Sequence, residues 1–181
     1  AIQGAPFMAL NKDIKRAVLN VGGGNWSVIL SRSANFAPFL DFLRVYYANP
    51  ADLQILFVLA QHFFDYVDGA TWARYFNEPD KLGVPQKTLL YQEALGDAQV
   101  PNYATRTFAR TMGIPALGPL LEPVYGLKVV TGQVKGSAYT QWGPKPTPFP
   151  KDINVPAKRN PAHDAVRKID ALVRQMELFL K

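Results

Sequence analysis

Asp97 and His163 are the two residues of this chain whose types and spacing could carry acid–base chemistry. An imidazole with an unperturbed pKa of about 6.5 suits a general base near neutral pH. A carboxylate on its other ring nitrogen would orient the ring and stabilise its protonated form. Asp97 stands in Gly96-Asp97-Ala98-Gln99-Val100-Pro101, and His163 in Asn160-Pro161-Ala162-His163-Asp164, 66 positions later. The acid has ordinary alternatives. Gly-Asp commonly marks a turn, and Asp164 is a rival for the acid, although a side chain at a helix start more naturally caps it or meets its dipole. The second histidine, His62, lies among aromatics and reads as a core or interface residue. Four serines are present, Ser27, Ser31, Ser33 and Ser137, and none sits in Gly-x-Ser-x-Gly.

The elements that must position the pair follow from periodicity. Thr88 to Gln92 has the length and composition of a buried strand, and Asp97 follows just past its end. Asn102 stands at a helix N-cap, Tyr103 to Met112 read as helix, and Gly113 supplies the stop. Two more strands are expected, Ala17 to Val21 and Ser137 to Trp142. A final helix opening at His163 carries Val166, Ile169, Val173, Met176 and Leu180 as one stripe, widened by Leu172 and Phe179. Strand, acid-bearing loop and helix together indicate an α/β fold, in which ligands and catalytic groups gather at the carboxyl ends of the strands. Ala1 to Leu10 forms a small-residue helix, and 25–86 reads as helical and strongly apolar.

Composition bounds the rest. At 181 residues and 48% hydrophobic content the chain can bury a sizeable core. The net charge of +6 is scattered, without the basic and aromatic interleaving of a nucleic-acid binder. With no cysteine and two distant histidines, neither a disulfide framework nor a metal site is indicated. Gly22-Gly23-Gly24 lacks the Lys-Ser/Thr of a phosphate loop, so no nucleotide or other cofactor is expected. The apolar run from Leu53 to Ala60 is too short for a transmembrane segment. Gly143 to Pro150, dense in proline, reads as an extended surface segment.

The apolar strand running into Gly-Asp-x-x-Val-Pro and a helix resembles the acid-bearing segment of α/β-hydrolases, and acid before histidine agrees with their order of serine, acid, histidine. The small-residue helix followed by KRAVLNVGGGNWS is similar to the segment after the nucleophile elbow in secreted bacterial esterase-like members. The resemblance implies the C-terminal half of an α/β-hydrolase sheet, about three mostly parallel strands, with 1–24 and 87–181 as core and 25–86 as a helical cap insertion. It implies a carboxylic ester hydrolase of the serine type, acting on a small-molecule or lipid-like ester, with Asp97 and His163 catalytic and Asn25 and Trp26 on the substrate pocket wall. The serine and oxyanion hole would lie on an N-terminal polypeptide of the same precursor. Because the chain opens on Ala1 rather than methionine, a processed product is expected, with a secreted, periplasmic or envelope-associated location. The other function class is a non-catalytic binding or assembly module on a hydrolase-derived fold.

Overall fold

The computed structural model describes residues 1–145 and 156–181. Among the described residues five strands form one sheet, all parallel: β1 (Arg16–Asn20), β2 (Thr88–Ala94), β3 (Ala116–Leu117), β4 (Val129–Val130) and β5 (Ala138–Trp142), in the order β1-β2-β5-β3-β4. The three strands expected from sequence are therefore joined by two more. Each added strand is two residues long, too short to show any alternation.

Helices cover both faces of the sheet, and the period of two assigns each strand residue to one of them. Leu19, Leu89, Tyr91 and Tyr139 face α1 (Gly4–Leu10) and α6 (Asn102–Met112), packing with Ala5, Met8, Phe108 and Met112. On the other face, Ala94 meets Val166 and Leu172 of the C-terminal segment, with Trp142, Ile169 and Met176 against them. Tyr91 lies edge-on to Phe108 at 5.3 Å. β2 is paired on both sides and buried through most of its length, as its apolar reading requires.

The C-terminal segment departs from the expected single helix. It breaks into α7 (Ala162–Ala165), a 3-10 turn at Val166–Lys168, and, after an extended Ile169, α8 (Asp170–Leu180). The Ile169 carbonyl accepts from the amides of Leu172 and Val173 and so starts the new helix. The change of direction brings Val166, Ile169 and Leu172 to one cluster, whereas Leu180 stays exposed.

Residues 25–86 contain only helical elements and loops. α2 (Trp26–Arg32), α3 (Ala37–Tyr46) and α4 (Pro50–Phe64) share a cluster of Leu30, Leu40, Leu53 and Phe57. α5 (Gly69–Trp72) and the 3-10 turn Ala73–Phe76 pack instead with α1 and α6, and Ala73 and Phe76 join the central core. Gly23 and Gly24 carry the chain from β1 into this region through tight quarters. A Cβ on Gly23 would stand 2.9 Å from Val100 Cγ1, and one on Gly24 would stand 2.9 Å from the Ala70 backbone nitrogen. The glycines are thus required by packing against α5 and α6. Residues 146–155, most of the proline-rich stretch, lie outside the described residues.

Candidate active site

Asp97 hangs from the loop that follows β2, and one backbone turn and two hydrogen bonds set that loop's shape. Gly96 turns it with φ of +77°. Asn102 accepts from the Gly96 amide at 2.8 Å and donates to the Ala94 carbonyl at 2.7 Å. Asn102 is therefore the clasp of the acid loop, and Pro101 occupies the N-cap position expected for it. The clasp is local in sequence, spanning six and eight positions, so an asparagine there reads as a cap until the loop is built.

The two oxygens of Asp97 do different work. Oδ1 accepts from the amides of Gln99 at 2.8 Å and Val100 at 3.1 Å, a turn-forming arrangement. Oδ2 lies 2.8 Å from His163 Nδ1. The carboxyl side chain is only 2% exposed and the imidazole 15%. The turn reading and the acid–histidine reading of Asp97 are both realised, one on each oxygen.

His163 reaches the acid because its own turn is stitched to the acid loop. Asn160 Oδ1 accepts from the Ala162 amide at 3.0 Å, starting α7, and its Nδ2 donates to the Gly96 carbonyl at 2.9 Å. Asp164 points elsewhere. It is exposed and pairs with Arg167 at 3.2 Å, so Asp97 and not Asp164 is the imidazole's carboxylate. The other ring nitrogen, Nε2, accepts from Arg167 Nη2 at 3.1 Å.

His163 and Arg167 line a cavity of about 380 Å³, within the range of small-ligand sites. Trp26 is on its wall, as expected, with Ile29, Phe36 and Val100 beside it. Asn25 is not. Its side chain accepts from the Val28 amide and caps α2, while its backbone adopts φ of +71°. Asparagine tolerates that left-handed conformation and supplies the cap oxygen, so the turn accounts for the residue. Val21, also on the cavity wall, has φ of +50°, an uncommon conformation for a β-branched residue and one that concentrates near functional sites.

Two buried acids missed at the sequence level hold this frame. Asp68, wholly buried, accepts from the amides of Asn25, Trp26 and Ala70 and from Gln61 Nε2, all between 2.7 and 2.8 Å. It fixes the turn that presents Trp26. Glu93, on β2, is wholly buried and receives Arg106 Nε at 2.9 Å and the Tyr139 hydroxyl. Arg106 also reaches Glu122 at 2.7 Å. Burial pushes the Glu93 carboxyl above its ordinary range, against the opposing pull of Arg106. For Arg106 burial works downward, but Glu93 and Glu122 raise the guanidinium overall. Neither acid sits in a motif. Only their burial identifies them.

His62 lies away from this site, exposed on α4 with Asp65 Oδ2 3.4 Å from its Nδ1, rather than in a core. Of the serines, Ser33 reaches the cavity wall, where its Oγ accepts from the Asn35 amide and caps a 3-10 turn. Ser137 Oγ accepts from the Leu89 amide between strands. Among the described residues no cluster of His, Cys, Asp or Glu could hold a metal ion, and no helix is long and apolar enough to cross a membrane. Compared with family models, curated proteins and solved structures, the chain matches none.

Proposed function

We propose that this chain supplies the acid and the histidine of a serine-type carboxylic ester hydrolase, with the nucleophilic serine on a preceding segment or a separate polypeptide. One observation carries the reading: a buried carboxylate is hydrogen-bonded to the Nδ1 of an imidazole that lines a ligand-sized cavity at the carboxyl end of a parallel sheet. In this chemistry Nε2 takes the serine proton as the hydroxyl attacks the ester carbonyl, then returns it to the leaving alcohol. Asp97 stays ionised throughout and stabilises the imidazolium. The apolar wall of Trp26, Ile29 and Phe36 would receive the acyl part of a small or lipid-like ester.

The partner polypeptide would pair with β1. The amide of Val21 donates to Gln92 and the carbonyl of Lys15 accepts from Thr88, so alternation turns the amides of Arg16, Val18 and Asn20 to the other side. Among the described residues no strand pairs there. A non-catalytic binding module is the second reading, favoured by Arg167 standing on Nε2 where a nucleophile would be. The deciding experiment co-expresses the upstream segment and treats the complex with a fluorophosphonate probe. Labelling of a serine that disappears in His163→Ala supports the hydrolase. Absence of labelling, or labelling indifferent to His163, leaves the binding module.

A further inference from the structure

His163 is gripped at both nitrogens, and the second grip determines the first. Arginine has five donors and no acceptor, so Nε2 must be the accepting atom in its contact with Arg167 Nη2. The ring proton therefore resides on Nδ1, where it is donated to Asp97 Oδ2. A second proton, on Nε2, would set donor against donor. This neutral form is the one a general base needs, with its lone pair turned away from the acid.

The guanidinium is itself held. Its Nε donates to Asn20 Oδ1 at 3.2 Å and its Nη1 to Asp164 Oδ1 at 3.2 Å. Asn20 in turn donates to Gln92 Oε1 at 3.0 Å, and Gln92 donates to Gln175 Oε1 at 2.9 Å. The arginine fork thus rests on a polar row crossing β1, β2 and α8. A planar fork can meet three partners in one plane, which a lysine ammonium on its flexible stem does not reproduce.

We infer that Arg167 is the positioning residue of His163: it holds the imidazole as the Nδ1–H tautomer and stands in the place of a nucleophile's hydroxyl until that hydroxyl displaces it. The inference rests on the hydrolase reading for its purpose, though its geometry does not. The two grips differ in permanence. Asp97 is buried and bound by two backbone amides as well, whereas the Arg167 side chain is 51% exposed and can turn to water with little desolvation change. An incoming hydroxyl would exchange with the arginine and leave the acid in place.

Diethyl pyrocarbonate tests this, because it acylates an imidazole nitrogen whose lone pair is free. His62, exposed on α4, is the internal standard within the same chain. Peptide mapping by mass spectrometry should show His163 reacting slowly relative to His62 in the wild type. Arg167→Met keeps the apolar stem but cannot donate, and should raise the His163 rate by about fivefold, the scale of a half-exposed charged contact, with His62 unchanged. Arg167→Lys should fall between. In ¹⁵N spectra the Nε2 resonance of Arg167→Met should move toward that of an unbonded acceptor nitrogen while Nδ1 stays protonated, a signature that general destabilisation would not give. Unchanged reactivity and an unchanged Nε2 resonance in a folded Arg167→Met overturn the inference. Should that variant fail to fold, Asp164→Ala, at an exposed site, removes one tether and should give a smaller rise, and no rise there overturns it too. None of these readouts needs a serine, so the result stands apart from the phosphonate experiment.

Discussion

At the scale of single residues the site depends on an economy in Asp97. One oxygen builds the loop and the other holds the imidazole, so the side chain that orients the base is itself oriented by backbone amides. Asp97→Asn separates these roles. The amide oxygen can still accept from Gln99 and Val100, but the remaining NH₂ is a donor and cannot receive the Nδ1 proton. In a preparation containing the serine, ester turnover should fall on the order of 10³–10⁴-fold, with the unfolding midpoint nearly kept. Turnover within tenfold of wild type, measured on a soluble aryl ester, would remove Asp97 from the mechanism. Asp164→Asn, whose side chain touches only Arg167 among charged groups, should leave most of the activity.

At the scale of elements, β2 and α6 are locked by the Glu93, Arg106 and Tyr139 group directly behind the acid loop. Such buried pairs contribute modestly when intact but are costly when one partner is removed. Arg106→Met leaves Glu93 without its cation, and at neutral pH should cost about 3–5 kcal/mol of stability by urea unfolding. The pH dependence has a definite sign. Burial already raises the Glu93 carboxyl above its unfolded value, and loss of Arg106 raises it further. A group raised in the folded state stabilises the fold below its unfolded pKa, and that contribution is lost as pH rises through the folded value. The penalty of Arg106→Met should therefore shrink toward acid pH and grow toward alkaline pH. Adding Glu93→Gln should recover part of it. A penalty independent of pH would mean that the loss is one of packing alone.

At the scale of the whole molecule, among the described residues the sheet ends at β1, with a row of backbone groups turned away from β2. Edges of this kind template further strands. If a partner polypeptide pairs there, hydrogen exchange at the Val18 amide should be fast in the 181-residue chain and slow by at least about tenfold in the complex with the upstream segment. Leu19, whose amide faces β2, should be protected in both. Equal exchange at Val18 in both samples would show that β1 is not the docking edge.

Much of this was legible from sequence alone because it is local. The apolar run Thr88 to Gln92, the Gly96-Asp97 turn, the Gly113 stop and the small-residue Ala1 to Leu10 segment each declare a strand, loop or helix through a few neighbours, and the α/β class follows from their alternation. Asp97 and His163 were legible as candidates through residue type and order. That they touch was decided only in three dimensions, by Asn160 tying one turn to the other and by Asp164 turning outward. Tertiary structure also moved Asn102 from cap to clasp, broke the last helix at Ile169 so that Val166 and Leu172 share a core, and added two strands of two residues each. Arg167, Asp68 and Glu93 carry no signal along the chain, since a charged side chain in sequence looks solvated. Their partners lie 147, 43 and 13 positions away; for the buried Asp68 and Glu93 it is the cost of leaving a buried charge unpaired that holds each pair together, whereas the half-exposed Arg167 is fixed by Asn20 and Asp164 only once the fold brings them near.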